Sequence, residues 1–505
     1  IVCGAPNAAE GLKAPLAQPG ARLPGGIKIK KAKLRGVESQ GMLCSAAELT
    51  LSDDHDGLLA LASDAPVGTP VDVYLDLNDS LIEIGLTPNR ADCLSVAGVA
   101  RDLAAATDTA LTILEIEPVT PTIDDQCPVD IACPSKCPRY LGRVIRNVEV
   151  AKPTPLFMVE RLRRAGIRSI DAVVDITNYV MFDLGRPLHA FDIAKIEGDS
   201  LFIRQAKGGE QFHALNEKTY DLDAGMLVIG DDHGVDDLAG VMGGERTGIS
   251  DSTDEMFMEI AVFDPISIAT TGRKLNLNSD ARYRFERGLD SESPHWAAGH
   301  VARLVLEICG GEASMPVTAG SGVDWQRSIF LSSNKVESLS GMIIDAAEQQ
   351  RILEALGFKV SAADGGVDVE PPAWRGDIDG AADLVEEIAR IRGFDHLPMA
   401  HLPREDVVAK PSLSPAQARL FRLRRALAGR GLMEAVTFSF LSEDDAARVI
   451  ARMEWPLNYT KFVDSLYRAQ IYRDQFSRNQ QRGQQRGVQL FRSLVGTSRK
   501  VQQVR

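Results

Sequence analysis

The amino-acid sequence predicts an α+β protein built from several domains. Its 505 residues exceed the roughly 100–200 that one domain usually holds. In the first 78 residues, short apolar runs alternate with turn signals such as Pro19-Gly20, a pattern typical of β-structure. Later segments carry the capping residues and the apolar periodicity of helices, with short strands between them.

The composition indicates a soluble globular protein, with 44% hydrophobic and 25% charged residues. A net charge of −14 argues against a broadly basic surface, so any contact with nucleic acid should be local. No apolar run reaches the roughly 20 residues that span a bilayer, and no signal peptide is present. The chain begins at Ile1 in a strand-like run without an initiator Met, and we expect it to start within a domain.

The seven cysteines are scattered and form no disulfide framework, which indicates reduced thiols and a cytoplasmic location. Cys127, Cys133 and Cys137 lie close together along the chain. They lack paired CxxC spacing and a nearby histidine, so we expect no metal there.

The segment Lys28–Gly36 is a basic, strand-like run with interleaved apolar residues. Small β-barrels of the oligonucleotide-binding kind use such strands to contact phosphates. The alternative is a set of solvated lysines on an edge strand.

Local signals then predict the next elements in order. The turn before Leu94 predicts a helix over Leu94–Ala105, and residues 115–138 have the composition of a linker. A strand is predicted at Tyr140–Val144. Thr154 is predicted to cap a helix that has Pro155 at its first position.

The stretch from Asp175 to Asp192 combines a hydroxyl, an amide and an imidazole around one rigid corner. Thr177 and Asn178 precede the Gly185–Pro187 corner, and His189 follows it. This arrangement suits the binding of a polar group and the polarisation of a water molecule. In the alternative interpretation, Asn178 and His189 only satisfy buried backbone groups.

Two later segments fit the same idea. The glycine-rich loop Leu238–Gly244 lets backbone N–H groups approach a ligand, although it matches no phosphate-binding loop. Glu259 lies in the apolar strand Met256–Phe263, where a buried carboxylate needs a partner or a function. A structural hydrogen bond to the backbone is the alternative for Glu259.

An acidic helix is predicted over Gly380–Arg392. Asp383, Glu386 and Glu387 are spaced so that they lie on one face of it, with Asp377 just before. An arginine or a hard metal such as Mg²⁺ would relieve their repulsion. The alternative is a solvated acidic face near a helix N-terminus.

The last elements predicted are a basic amphipathic helix at Pro415–Ala428 and a strand at Glu434–Phe440. From Met453 to Arg505 the sequence is rich in Gln and Arg, with little apolar periodicity. We expect this tail to be disordered, as a sequence in an altered reading frame would be. A basic RNA-binding tail is the alternative.

Several long motifs resemble the β subunit of bacterial phenylalanine–tRNA ligase. They are LTPNRADCLSVAGVARDLAA, GIRSIDAVVDITNYVMFDLGRPLHAFD, GVMGG, MEIAVFDP, NSDARYRFERG and RGDIDGAADLVEEIARIRGF. The resemblance covers residues 1–452 and implies a chain truncated at both ends. The implied parts are a partial OB-type, tRNA-binding β-barrel (1–78), a connecting segment (79–138), a mixed α/β editing domain (139–322), a small winged-helix-like α/β domain with the acidic helix (323–400), the start of a class II synthetase-like domain (412–452) and an off-pattern tail (453–505).

The resemblance also implies functional residues. In that family the editing domain hydrolyses tyrosine wrongly attached to tRNA-Phe. Its pocket corresponds here to Arg168, Thr177, Asn178, His189, Gly240, Gly243, Glu259, Ser279 and Ala281. Ser279 stands where relatives often carry Thr and keeps the hydroxyl. The family's Mg²⁺ motif, which is shared with the α subunit, corresponds to Asp377, Asp383, Glu386 and Glu387.

The chemistry of the pocket residues is coherent with this resemblance. An aminoacyl ester needs an oriented water and donors for the developing oxyanion. Gly240 and Gly243 offer close backbone approach, and His189 and Asn178 can hold the water. Glu259 can hydrogen-bond a tyrosine hydroxyl that phenylalanine lacks, which permits discrimination of roughly 10⁴-fold.

In the resembled family, aminoacylation and the use of ATP belong to an assembly of two α and two β subunits that binds tRNA-Phe. The chain contains neither HIGH nor KMSKS, so we expect no amino-acid activation of that type. It has no GxSxG or HExxH motif, which argues against a covalent or zinc hydrolase. By itself the chain is expected at most to bind tRNA and remove misattached tyrosine. The alternative is a non-enzymatic tRNA-binding scaffold with a vestigial pocket.

Overall fold

The chain divides into two units, Ile1–Met399 and Ala400–Arg505. The predicted strand at Glu434–Phe440 and the tail from Met453 lie outside the residues that can be described. None of the described helices has the length and hydropathy needed to cross a membrane. The computed structural model describes residues 1–52, 55–112, 114–198, 200–399 and 411–433.

Helices and strands are interspersed along the chain, which confirms the predicted mixture of the two. The strands are β1 (Leu16–Ala17), β2 (Ala32–Leu34), β3 (Val37–Ser39), β4 (Met42–Leu43), β5 (Val129–Ile131), β6 (Arg139–Arg146), β7 (His189–Asp192), β8 (Leu201–Gln205), β9 (Glu210–His213), β10 (Thr219–Leu222), β11 (Leu227–Gly230), β12 (Val235–Leu238), β13 (Met242–Gly243), β14 (Glu255–Val262), β15 (Glu312–Ala313), β16 (Val317–Ala319), β17 (Ile329–Ser332), β18 (Lys359–Ala363) and β19 (Gly366–Glu370). The helices are α1 (Val71–Tyr74), α2 (Val96–Thr107), α3 (Leu156–Arg164), α4 (Ala172–Leu184), α5 (Pro265–Leu275), α6 (Asp280–Phe285), α7 (Ser293–Cys309), α8 (Lys335–Ser340), α9 (Ala346–Ala355), α10 (Ala381–Arg392) and α11 (Pro415–Ala428).

The N-terminal region consists of short antiparallel pairs. Strand β1 pairs with β4, and β2 pairs with β3. Within the described part of residues 1–78 these pairs form two separate two-stranded sheets rather than a closed barrel. The expectation of an all-β region is wrong at α1, which begins directly after Pro70. Proline fixes the backbone φ angle at a helical value, so a helical turn is favoured at this point.

Two sheets build the central region. The first sheet has the order β15-β6-β14-β7, with β16 also paired to β6. The second sheet has the order β13-β12-β11-β8-β5 and is antiparallel except for the β5–β8 pair. The strand predicted at Tyr140–Val144 corresponds to β6, which is longer by a residue or two at each end.

Strand β14 is buried on both of its faces, because a different layer covers each one. Alternate side chains of a strand face opposite sides of the sheet. Phe257 and Ala261 belong to the core shared with the second sheet. Met258 and Ile260 belong to a core covered by α4 and α7. By the same alternation Glu259 faces the second sheet, among apolar neighbours.

Helix α4 contains most of the polar run identified in the sequence, and local signals define both of its ends. Asp171 caps it by accepting the N–H groups of Val173 and Val174. Gly185 ends it with a φ of 79°, a left-handed conformation that glycine adopts without strain. The backbone then turns into β7, which starts at His189.

The cap predicted for α3 is wrong by one residue. Pro155 is the N-cap and Leu156 the first helical residue, and no side chain caps the helix. Thr154 instead donates its hydroxyl to the buried carboxylate of Asp175. Asp175 also accepts bonds from Ser169 and Ile170, and a tertiary contact has therefore replaced the local cap.

A small α/β module completes the first unit. Its three-stranded antiparallel sheet has the order β17-β19-β18 and shares a core with α8, α9 and α10. Helix α10 lies within a residue of its predicted position. Helix α11 in the second unit has the predicted bounds, with a capping box at Ser414.

Candidate functional site

Strand register brings His189 and Glu259 together. In the antiparallel pair of β7 and β14, these two residues are direct cross-strand partners. Glu259 is only 5% exposed. On its other side lies β6, where the fully buried Tyr140 donates its hydroxyl to Glu259 Oε2 at 3.2 Å. A histidine, a carboxyl and a phenol therefore share one buried region.

A hairpin of the second sheet closes over His189. In the β12–β13 hairpin, Asp237 opposes Gly243. A Cβ on Gly243 would lie 2.5 Å from Cε1 of His189, so the imidazole packs directly against the Gly243 backbone. Any side chain at position 243 would displace the histidine. The glycine here is required by close approach.

Gly240 has a different role from Gly243. Its φ is +67°, and a Cβ there would lie 2.8 Å from the ring of Phe263. It forms the turn of the hairpin against aromatic side chains. A Cβ on Gly240 would not meet His189, so of these two predicted glycines only Gly243 packs directly against the histidine.

Ser279 ties helix α6 to the hairpin. Its Oγ accepts the N–H of Arg282 as an N-cap and donates to the carbonyl of Val241 at 2.6 Å. Val241 lies within the glycine-rich loop, so Ser279 holds the loop in place. Ala281 follows on the same helix and packs against the core between the two sheets.

Burial determines the ionisation of the pocket. It raises the pKa of Glu259 to about 8, opposed by the Tyr140 hydrogen bond. Burial, with Glu259 and Asp236 nearby, raises the pKa of Asp237 well above its usual value. Burial also lowers the pKa of His189 to about 4, although a fifth of its side chain is exposed. At neutral pH the favoured state of these groups is therefore uncharged.

Among the described residues, Thr177, Asn178 and Arg168 form no hydrogen bond or ion pair with His189 or Glu259. Thr177 donates its hydroxyl to the carbonyl of Val174 within α4. Asn178 makes no side-chain hydrogen bond among the described residues, and Arg168 is exposed. Helix α4 packs on the sheet face opposite Glu259. A single pocket that includes these three side chains remains a prediction.

Tyr140 and Asp237 were not identified from the sequence. Tyr140 lies in a predicted strand, and nothing local distinguishes it from a core aromatic residue. For Asp237 the sequence does carry a local signal. Two consecutive acidic residues, Asp236 and Asp237, directly precede the apolar Leu238, and both are buried. Buried acidic residues of this kind need a partner or a function.

The four carboxylates predicted to hold Mg²⁺ differ in the groups that they contact. Arg375 binds Asp377 through two hydrogen bonds of 2.8 Å and also binds the buried Glu387. Asp383 accepts the backbone N–H groups of Asp379 and Gly380. Glu386 is exposed. The arginine alternative therefore describes Asp377 and Glu387.

A larger ion-pair network surrounds Glu387. Burial disfavours its charge, but hydrogen bonds from Arg375 and Arg390 outweigh that cost and lower its pKa to about 2. Arg390 also binds Asp102 on α2 at 2.6 Å. Within the described segments, no three His, Cys, Asp or Glu side chains are arranged to hold a metal. The four carboxylates alone thus do not form a complete metal site.

Known domain families match three parts of the chain. A tRNA binding domain family matches residues 1–70, the B3/4 domain family residues 136–310, and the tRNA synthetase B5 domain family residues 329–394. The His189–Glu259 pocket lies within the B3/4 match, and the Glu387 network involves the B5 match. The three separate matches establish a multidomain organisation.

Proteins that are similar along most of this chain agree with these domain matches. The chain is 48% identical over 444 residues to the phenylalanine–tRNA ligase β subunit of Pseudomonas syringae pv. syringae, and 47% identical over 453 residues to that of Paramagnetospirillum magneticum. The matches cover 87% and 88% of this chain, and 56% of each relative. Over the matched residues, the chain is similar to phenylalanine–tRNA ligase β subunits. It spans about half the length of these relatives.

One solved structure was also compared. It is an N-terminal fragment of the phenylalanyl-tRNA synthetase β subunit from Pyrococcus horikoshii. The identity is 14% and the TM-score is 0.32, over 63% of this chain and 93% of the fragment.

The raised pKa of Glu259 predicts a pH-dependent stability. Between a pKa near 4 in the unfolded chain and about 8 in the folded one, the folded state binds more protons. The free energy of unfolding should therefore fall as pH rises through this window, by up to about 1.4 kcal/mol per pH unit. In Glu259→Gln the fall should be shallower, as measured by urea unfolding at pH 5.5 and pH 7.5. Glu255→Gln, on the same strand but paired with Arg146 at the surface, is the control. Equal slopes in Glu259→Gln and the parent would contradict the burial argument.

Adjacent glutamates on α10 provide a second test. Glu387→Ala leaves Arg375 buried without one of its partners and should destabilise the chain by about 3–5 kcal/mol. Glu386→Ala removes an exposed carboxylate and should change stability by less than about 0.5 kcal/mol. Urea unfolding without added metal measures both. Similar losses in the two variants would show that Glu387 has no special structural role.

Proposed function

We propose that this chain is the editing and tRNA-contacting part of a phenylalanine–tRNA ligase β subunit. In this proposal its central pocket hydrolyses tyrosine wrongly attached to tRNA-Phe. The observation that supports it most strongly is the direct pairing of His189 with Glu259 across two strands. The pair is buried, and the backbone of Gly243 lies against the histidine ring. These are polar groups that a folded protein would not bury without a use.

The proposed hydrolysis is a direct attack by water on the aminoacyl ester. His189 supplies a polar group that holds the water or the carbonyl group in place. Close backbone approach at the glycine-rich hairpin allows donation to the developing oxyanion. No nucleophilic side chain takes part in this reaction. Much of the rate acceleration therefore comes from holding the water and the ester in the reactive orientation. The family motifs assign a wider set to the editing site, namely Arg168, Thr177, Asn178, His189, Gly240, Gly243, Glu259, Ser279 and Ala281. The first three lie on or just before α4, which packs on the opposite face of the sheet.

Specificity is assigned to Glu259. Its carboxyl is buried, and among the described residues its one side-chain hydrogen bond is the long bond from Tyr140. A tyrosine hydroxyl in the pocket would give this carboxyl a second partner. With phenylalanine bound, the carboxyl would lack this second hydrogen-bond partner, and leaving the hydrogen-bonding capacity of a buried polar group unused costs free energy. The resulting preference for tyrosine can reach roughly 10⁴-fold.

The remaining proposed roles depend on the whole ligase. Aminoacylation of tRNA-Phe, with consumption of ATP, is assigned to a cytoplasmic assembly of two α and two β subunits. Mg²⁺ held by Asp377, Asp383, Glu386 and Glu387 requires ligands from the α subunit, because Arg375 already neutralises Asp377 and Glu387. Asp383 and Glu386 are the more available oxygen donors for that ion.

Deacylation of charged tRNA tests the editing proposal. The 505-residue chain should release tyrosine from Tyr-tRNA-Phe far faster than phenylalanine from Phe-tRNA-Phe. Glu259→Ala should lower the ratio of these two rates by at least about tenfold, because the group that selects the hydroxyl is gone. Glu255→Ala, on the same strand outside the pocket, should leave the ratio unchanged. Equal rates on the two substrates in the parent chain would refute the proposal.

A second candidate function is a non-enzymatic tRNA-binding scaffold. The lysines at positions 28, 30, 31 and 33 are all exposed, and among the described residues none of them forms an ion pair. They lie on or beside the β2–β3 hairpin, within the match to the tRNA binding domain family. A row of unpaired cations suits a phosphate backbone despite the acidic net charge.

Reversing these charges tests the binding of tRNA by this hairpin. Replacement of Lys28, Lys30, Lys31 and Lys33 by Glu should weaken tRNA binding. It should also flatten the dependence of log K on log[salt] by about 0.7–0.9 for each phosphate that the variant no longer neutralises. Fluorescence anisotropy at several salt concentrations measures both, with Lys335→Glu and Lys359→Glu as controls. Unchanged binding would exclude this hairpin as a tRNA-binding surface. Salt-sensitive binding without any deacylation would favour the scaffold over the editing enzyme.

A further inference from the structure

Asp237 is a carboxyl group in the pocket for which the proposed function has no role. It lies on β12, is 4% exposed and opposes Gly243 in the hairpin. Its Oδ2 atom is 3.8 Å from Nε2 of His189. That separation is just beyond a hydrogen bond, and a small rotation of either side chain or one bridging water would close it.

The two nitrogens of His189 have different surroundings. Nε2 is buried and has no hydrogen-bond partner. Among the described residues Nδ1 also accepts or donates no hydrogen bond, but it is not one of the buried unpaired atoms, so it is the nitrogen open to the pocket. A neutral imidazole carries hydrogen on one nitrogen and a lone pair on the other. Whatever occupies Nε2 therefore decides what Nδ1 presents to a ligand.

The surroundings of Asp237 favour its neutral form. The titratable groups near the pocket include His189 on β7, Glu259 on β14 and Tyr140 on β6, with Asp236 next along the strand. The buried thiol of Cys137 also lies near Glu259. Among the described residues no lysine or arginine pairs with Asp237 or Glu259. Asp236, in contrast, is paired with Arg246. Two buried carboxyls without a cation are stable only when at least one, and preferably each, keeps its proton.

We propose that Asp237 is a positioning residue that donates its carboxyl O–H to Nε2 of His189. This bond fixes the tautomer that carries hydrogen on Nδ1. His189 then presents Nδ1–H to the pocket as a donor for the ester carbonyl oxygen. The proposal rests on the hydrolysis proposed above and adds to it the state of the histidine.

The reaction balances without a charged histidine. The water oxygen bonds to the carbonyl carbon, and the carbonyl oxygen becomes an oxyanion that accepts the hydrogen bond from Nδ1–H. The bond between that carbon and the ribose oxygen then breaks, and the proton lost by water ends on the ribose oxygen. The products are the free amino acid and a tRNA with a free hydroxyl. Asp237 and His189 keep their protons throughout.

The tautomer of His189 can be measured without any substrate. The full chain is labelled with ¹⁵N in its histidine rings, and His189→Gln identifies the His189 signals. The expected spectrum shows hydrogen on Nδ1 in the parent and in Asp237→Asn, whose amide can still donate to Nε2. In Asp237→Ala the tautomers should mix or reverse. Asp236→Asn, which alters the neighbouring carboxyl that faces Arg246, should keep the parent tautomer. Hydrogen on Nε2 in the parent overturns the proposal.

Deacylation of Tyr-tRNA-Phe by the same variants provides the second measurement. Asp237→Ala should lower the single-turnover rate by about 100-fold, the usual effect of removing one oxyanion donor, and Asp237→Asn should restore most of it. A loss of rate in Asp237→Ala with an unchanged tautomer overturns the positioning role. A parent chain that deacylates nothing refutes the editing function but leaves the tautomer measurement to decide the Asp237–His189 contact. Thermal unfolding of each variant confirms that it is folded.

Discussion

The pocket depends on the antiparallel register of β14 between β6 and β7. That register sets Glu259 opposite His189 on one side and opposite Gly142 on the other. Because alternate residues of β14 belong to different cores, the carboxyl must face the second sheet and cannot reach bulk water. A shift by one residue would move it into the opposite core, so apolar packing fixes the position of the polar group.

The protein carries buried carboxyl groups in two physically different ways. Among the described residues no cation pairs with Glu259 or Asp237, and burial raises the pKa of both. Glu387 is as deeply buried but lies between Arg375 and Arg390, which lower its pKa. A neutral carboxyl can donate and accept hydrogen bonds, which suits a ligand pocket. An ion pair is a fixed structural bond, which suits the contact between α10 and α2.

Local sequence signals located several elements, although not always their exact ends. The predicted bounds of α11 agree with the structure, and the strand at Tyr140–Val144 corresponds to the longer β6. Errors arose where a distant residue competed for a local group. Thr154 does not cap α3, because its hydroxyl bonds to Asp175. A helical turn at α1 interrupts a region expected to contain only strands.

The sequence by itself determined the mixed α/β composition, the limits of some helices such as α11, and the choice of His189 and Glu259 as candidate pocket residues. These follow from periodicity, capping and motif resemblance, which are properties of neighbouring residues. Only the tertiary structure decided that Asp237 faces His189 and that Arg375 neutralises Glu387. Each contact joins two segments whose distance from one another depends on how the sheets and helices pack. That packing minimises exposed apolar surface over the whole domain, and no local pattern encodes it.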